Sequence, residues 1–122
     1  MFTHKNLDVW QRSMDLVDRV YTITEDFPGK EQFGLTSQIR RAGVSVPVNI
    51  SEGAARHSPK DYIRFIRISF GSLSELETLF LICKRRDFIN EKDLYSVLEE
   101  IRIIGSQLSK LIKSLENHVN QK

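Results

Sequence analysis

Residues 38–56, QIRRAGVSVPVNISEGAAR, keep an apolar helical period straight through a proline, and no other stretch constrains the fold as much. At about 100° per residue, Leu35, Ile39, Ala42, Val46, Ile50 and Gly53 share one face. A strand would alternate, and a helix ending at the proline would lose this register. The spacing therefore predicts one helix over residues 34–57. Pro47 forfeits the hydrogen bond to the Gly43 carbonyl and crowds it, a cost of about 3 kcal/mol in a regular helix. A kink between residues 43 and 47 is the expected relief.

Three further helices follow from the same period. The first is expected over residues 7–26, with Leu7, Trp10, Met14, Val17 and Tyr21 as its apolar stripe and Asn6 as its cap. Phe27-Pro28-Gly29 ends it. Ser58-Pro59-Lys60-Asp61 opens a third helix with a capping serine and a proline at the first helical position, and it runs to residue 86. There Lys84, Arg85 and Arg86 suit the negative end of the helix dipole. Asn90 with Asp93 caps a fourth, whose Leu94, Val97, Ile101, Ile104, Leu108, Leu111 and Leu115 form one seam. Long helices joined by short connections predict an all-α, antiparallel up-down-up-down four-helix bundle, one domain over residues 1–122.

Composition narrows the class. The balance of 40% hydrophobic and 28% charged residues is that of a globular domain, and no apolar run is long enough to span a bilayer. The N-terminus lacks the layout of a signal peptide, and the single Cys83 allows no intrachain disulfide, so a cytoplasmic setting is expected.

Beside the apolar face of the second helix runs a polar row of Gln38, Arg41, Ser45, Asn49, Glu52 and Arg56, bracketed by Val44, Val48 and Ala55. On the third helix, Glu77 falls within the arc of Ile66, Phe70, Leu73 and Leu81. A carboxylate there would need a partner, since an unpaired buried charge costs several kcal/mol. The expected arrangement is a structural network of Arg40, Arg41, Ser45, Asn49, Glu52 and Glu77, with Glu77 paired to Arg41 or Arg40.

Charge points to a different surface. Residues 38–67 carry Arg40, Arg41, Arg56, Lys60, Arg64 and Arg67 against Glu52 and Asp61, a local net of +4 in a chain of net +2. Lys60, Arg64 and Arg67 occupy positions i, i+4 and i+7, with Arg56 just before them, a row that can follow a phosphate backbone. The alternative is a solvated face, or one paired with acids of the first helix such as Asp15 and Asp18. Enzyme chemistry finds little footing. The Glu-x-x-His pairs of carboxylate-bridged metal bundles are absent, because Met1, Ala54 and Leu115 stand three before the histidines. Cys83 falls on an apolar face with Leu76 and Phe80, no glycine-rich phosphate loop exists, and no cofactor is implied. Gly53 and Gly71 are expected to permit close helix contact.

The residues of the second helix also carry a family resemblance. Gln38, Arg40, Arg41, Ala42, Ser45, Pro47, Asn49, Ile50, Glu52, Gly53 and Arg56 resemble the signature of a bacterial four-helix-bundle family. Its members are named for reading frames in intervening sequences of 23S ribosomal RNA genes. Leu7 to Trp10 before this run, and Tyr62, Ile63, Phe65, Gly71, Ser72, Glu75 and Glu77 after it, extend the likeness over essentially the whole chain. The resemblance implies a fold similar to the accessory protein of diversity-generating retroelements, and with it a barrel-like homopentamer. That relative binds a reverse transcriptase and nucleic acid; for the intervening-sequence members the resemblance implies no activity. Of the apolar residues beyond the main stripe of the first helix, Val9, Leu16, Val20 and Ile23, some are expected to meet another subunit, the alternative being a broad internal core. Two functional expectations follow, RNA or DNA binding by a ring of basic stripes and a scaffold for another protein.

Overall fold

The computed structural model describes residues 4–120. Among them are four α-helices, α1 Asp8–Thr24, α2 Leu35–Ala54, α3 Pro59–Arg85 and α4 Glu91–Asn120, with short 3-10 turns at His4–Asn6 and Gly29–Glu31. α2 runs unbroken through Pro47, as the continuity of its apolar face requires.

Contacts between named residues fix the directions. Thr24 meets Arg40 and Val20 packs on Gly43, so α1 and α2 run antiparallel. Ser72 bonds Ser45, and Tyr62 and Phe65 crowd Gly53, which sets α3 against α2. Arg67 reaches Glu116 and Lys84 reaches Glu91 across α3 and α4. Asp8 accepts from Gln107 and Arg12 pairs with Glu100 across α4 and α1. Each helix thus packs on its two neighbours in a ring, and among the described residues the main chains of α1 and α3, and of α2 and α4, do not come close together. This is the up-down-up-down order that short connections favour.

The helix ends follow local chemistry. The Ser58 hydroxyl accepts from the Asp61 backbone N–H, and Pro59 occupies the first helical position of α3. Asn90 Oδ1 accepts from the Asp93 N–H at 2.7 Å while its amide donates back to the Asp93 carboxylate. α3 closes with Asp87 in the left-handed region, φ 59°, as the Phe88 N–H bonds the Cys83 carbonyl. Asn6 does not cap α1: it lies in the preceding turn, and Leu7 holds the cap position without a side-chain bond.

The core contains the expected faces of α2 and α4, with Ile39, Val46, Ile50, Val97, Ile104 and Leu108 fully enclosed. α1 is rotated from expectation. Its buried stripe is Val9, Ser13, Leu16, Val20 and Thr24; of the expected stripe, Leu7 and Trp10 pack partly buried against the core, Val17 is half-buried, and Met14 and Tyr21 are exposed. Of the residues offered for contact with another subunit, Val9, Leu16 and Val20 are core and Ile23 packs partly buried against it. On α3 the buried arc is Phe65, Ile66, Ser69, Ser72, Leu73, Leu76, Leu79, Phe80 and Cys83, and Phe70 and Leu81 fall outside it. Both shifts have one cause, since hydroxyl residues hold core positions with their donors satisfied. Ser13 donates to the Trp10 carbonyl, Thr24 to that of Val20 and Ser69 to that of Val46.

Candidate functional site

The end of α2 and the start of α3 are drawn together at Gly53. A Cβ there would stand 2.8 Å from Tyr62 Cδ1, 3.0 Å from Phe65 Cβ and 3.2 Å from the Tyr62 carbonyl oxygen. Only glycine lets α3 seat this closely, as expected for Gly53. Gly71 differs: it is exposed, and a Cβ there would meet nothing within 4 Å, so close contact does not explain it.

The close approach at Gly53 positions Phe65, and Phe65 positions two arginines. The guanidinium of Arg56 lies 4.8 Å from the Phe65 ring centre and that of Arg64 lies 4.5 Å from it. Lys60 is exposed on the intervening turn with no carboxylate within pairing distance among the described residues. Arg67 follows one turn beyond Arg64 and pairs with Glu116 of α4 at 3.2 Å. Arg56 is 3.6 Å from Glu52, and Arg64 is 3.9 Å from Asp61. Asp15 and Asp18 take no part. The four cations of the stripe therefore share one end of the bundle, three of them beside a carboxylate. Such exposed pairs are worth about 0–1 kcal/mol, so an incoming anion can displace them.

The expected polar network is divided. Ser45 and Asn49 form its intact part, with Ser45 Oγ 2.8 Å from Ser72 Oγ and the Asn49 amide donating to Ser45. Arg40 turns the other way, donating to Thr24 Oγ1 at 2.9 Å and covering the Tyr21 ring. Arg41 is exposed beside Phe33 and Val44, Gln38 is exposed, and Glu52 belongs to Arg56. Glu77 makes no ion pair with Arg40 or Arg41. It is exposed on the α4 side of α3, near Ile101 and Arg102. The carboxylate is solvated because the true core arc leaves it outside.

Two further features bear on chemistry. Cys83 is fully enclosed, and burial pushes its thiol up to about 11. At pH 8 only about one such thiol in a thousand would be ionised. A thiol reagent at that pH should leave the native protein unmodified for an hour and label Cys83 once the chain is unfolded; rapid native labelling would refute this placement. Among the described residues, no three His, Cys, Asp or Glu side chains are placed to hold a metal ion. No helix there is long and apolar enough to cross a membrane.

The pattern on α2 and α3 is also that of a known family: the model of the 23S rRNA-intervening sequence proteins matches residues 5–110. The chain belongs to that family. No curated protein matches it. Among solved structures, a protein of unknown function from the S23 ribosomal protein family of Bacteroides thetaiotaomicron VPI-5482 has the same fold. It is 24% identical, with a TM-score of 0.80 over 86% of this chain and 95% of its own. The span matched by the intervening-sequence family holds Gly53 and all four cations of the stripe, whereas Glu116, the partner of Arg67, lies beyond it.

The sequence did not reveal a groove of about 720 Å³ between α3 and α4, floored by Phe70 and Gly71 and edged by Arg67, Lys110 and Lys113. A signal was present. Gly71 and Gly105 each sit inside a long unbroken helix, and the α3–α4 register brings Gly105 beside the Phe70 ring.

Proposed function

We propose that this intervening-sequence protein is a non-enzymatic homo-oligomer of the bacterial cytoplasm, a pentamer on the pattern that the family resemblance implies. In this reading it binds RNA or DNA through Arg56, Lys60, Arg64 and Arg67. The observation that carries the reading is the seating of Arg56 and Arg64 on Phe65 with Lys60 exposed between them. Guanidinium groups held on a ring lose little further freedom when they meet phosphate, and the exposed carboxylates beside them are weak competitors for their N–H edges. Self-association is supported by exposed apolar residues on the outer side of α2 and α3. Val44, Val48 and Ile68 flank the Ser45–Ser72 seam, Ile82 lies about three turns further along α3, and all four are more than a third exposed. Cyclic repetition would set several stripes in a ring and multiply weak contacts.

Lys60→Glu combined with Arg64→Glu should abolish RNA and DNA shifts at low salt while the mass by light scattering stays that of the wild-type oligomer. Wild-type affinity should fall steeply with salt as counterions are released. Unchanged affinity of the double variant would reject the interface. A second reading, a scaffold for another protein, is favoured by the carboxylates beside Arg56, Arg64 and Arg67, which lower the local field. A stoichiometric protein partner that survives nuclease treatment would favour it.

A further inference from the structure

We infer that the groove between α3 and α4 takes an unpaired nucleotide of a single-stranded nucleic acid, its base stacked on Phe70 and its phosphates held by Arg67, Lys110 and Lys113. The inference rests on the nucleic-acid reading above and deepens it, because it names the form of nucleic acid and adds a contact that the basic stripe lacks.

Three independent observations converge on the groove. Phe70 is 39% exposed although it is a large aromatic residue in the middle of a helix. It lines this groove and the adjoining one that continues toward Glu77 and Arg102. Gly71 beside it is costly in a helix interior and has no packing reason, since a Cβ there would project into open space. Gly71 lines the groove beside Phe70, so a large side chain there would stand on its lining. The rim carries Arg67, Lys110 and Lys113 against a single carboxylate, Glu116, which already pairs with Arg67. An aromatic face within a cationic rim suits a single strand, whose bases are free to stack and whose backbone is anionic. A duplex offers no unstacked base, and a purely apolar partner would not need the rim.

The groove is continuous with the stripe. Arg67 belongs to both, being the last cation of the row and the first of the rim. α3 and α4 are antiparallel, and with Arg67 opposite Glu116 the Lys110 and Lys113 side chains line the groove with Phe70 at the middle of α3, so the rim extends the basic row inward from Arg67. Ile68 and Ile82 lie about 160° and about 120° round α3 from Phe70, toward Ser72 and α2, so self-association through that face leaves the Phe70 side of the groove open.

The test compares a labelled 12-nucleotide oligouridylate with an RNA duplex of the same length at low salt. Phe70→Leu, which keeps apolar bulk and removes the stacking face, should weaken single-strand binding about tenfold and leave duplex binding within about twofold. Gly71→Leu should block the groove with a similar loss and no fall in Tm. Phe70→Trp should retain affinity, and its emission should be quenched by the oligouridylate but not by the duplex. Lys110→Glu with Lys113→Glu should weaken the single strand most. Wild-type single-strand affinity in Phe70→Leu and Gly71→Leu, with binding still lost in the Lys60→Glu, Arg64→Glu protein, would overturn the groove alone. Failure of the wild type to bind either nucleic acid would overturn both readings. A Phe70→Trp emission that responds to an acidic helical peptide and not to the oligouridylate would overturn the proposal in favour of a helix-binding groove.

Discussion

Replacing Gly53 by valine is expected to destabilise the bundle by about 2–3 kcal/mol and to loosen the cationic cluster with it. The reason lies in which atoms a new side chain would meet. The Tyr62 ring, 2.8 Å from the position of a Cβ, can swing aside, because α3 begins only three residues earlier and the ring is only partly buried. Phe65 Cβ and the Tyr62 carbonyl oxygen cannot, since both are fixed to the main chain of α3. Relief therefore requires α2 and α3 to separate at this end, and the second branch of valine widens the gap required. The helix-propensity gain over glycine, less than about 1 kcal/mol, offsets only part of this. A Tm lower by roughly 10 °C in thermal circular dichroism is the expected readout. Because Arg56 and Arg64 both rest on Phe65, RNA and DNA affinity should fall in the same variant. Gly71→Ala is the control. It fills open space, so stability should hold or rise by up to about 1 kcal/mol. Equal Tm values for the two variants would show that Gly53 is not a point of close contact.

What could be read in the sequence is what depends on neighbours along the chain. The Ser58 and Asn90 caps, the proline at the start of α3 and the seam of α4 from Leu94 to Leu108 each follow from spacing within a few residues, and each stands where expected. Leu111 and Leu115 are only partly buried. The row Lys60, Arg64 and Arg67 is likewise a matter of helical geometry. What could not be read depends on register between helices or on polar groups that satisfy themselves. Glu116 reaches Arg67 only because α3 and α4 align residues 49 positions apart. Arg40 chooses Thr24 over Glu77 because Thr24, a hydroxyl residue, sits inside the core of α1. Phe70 looked like core and Ser72 did not; the structure reverses them, with Ser72 buried against Ser45 and Phe70 open to the groove. A hydropathy pattern counts serine and threonine as outward residues. When their hydroxyls bond a nearby carbonyl they cost little to bury, and the helix can turn by about one residue spacing, roughly 100°.

That rotation makes the second large prediction, which concerns α1. The apolar stripe of Trp10, Met14, Val17 and Tyr21 and the buried stripe of Val9, Ser13, Leu16, Val20 and Thr24 cannot both face the core, so truncations on each tell them apart. Leu16 has no solvent exposure, and Leu16→Ala should cost about 3–5 kcal/mol, the transfer term plus the cavity left among helices that cannot fully close. Met14 is 42% exposed, and Met14→Ala should cost less than about 1 kcal/mol, since alanine is also the better helix former. Urea midpoints at an unchanged m-value measure both. The same pair also separates core from interface. If Met14 and Tyr21 were covered by a second copy, Met14→Ala would lower the light-scattering mass or make the midpoint depend on protein concentration, whereas Leu16→Ala would shift the midpoint equally at all concentrations. A larger loss for Met14→Ala than for Leu16→Ala would mean that α1 faces the core with the stripe its hydropathy suggests, and that Ser13 and Thr24 lie outside it.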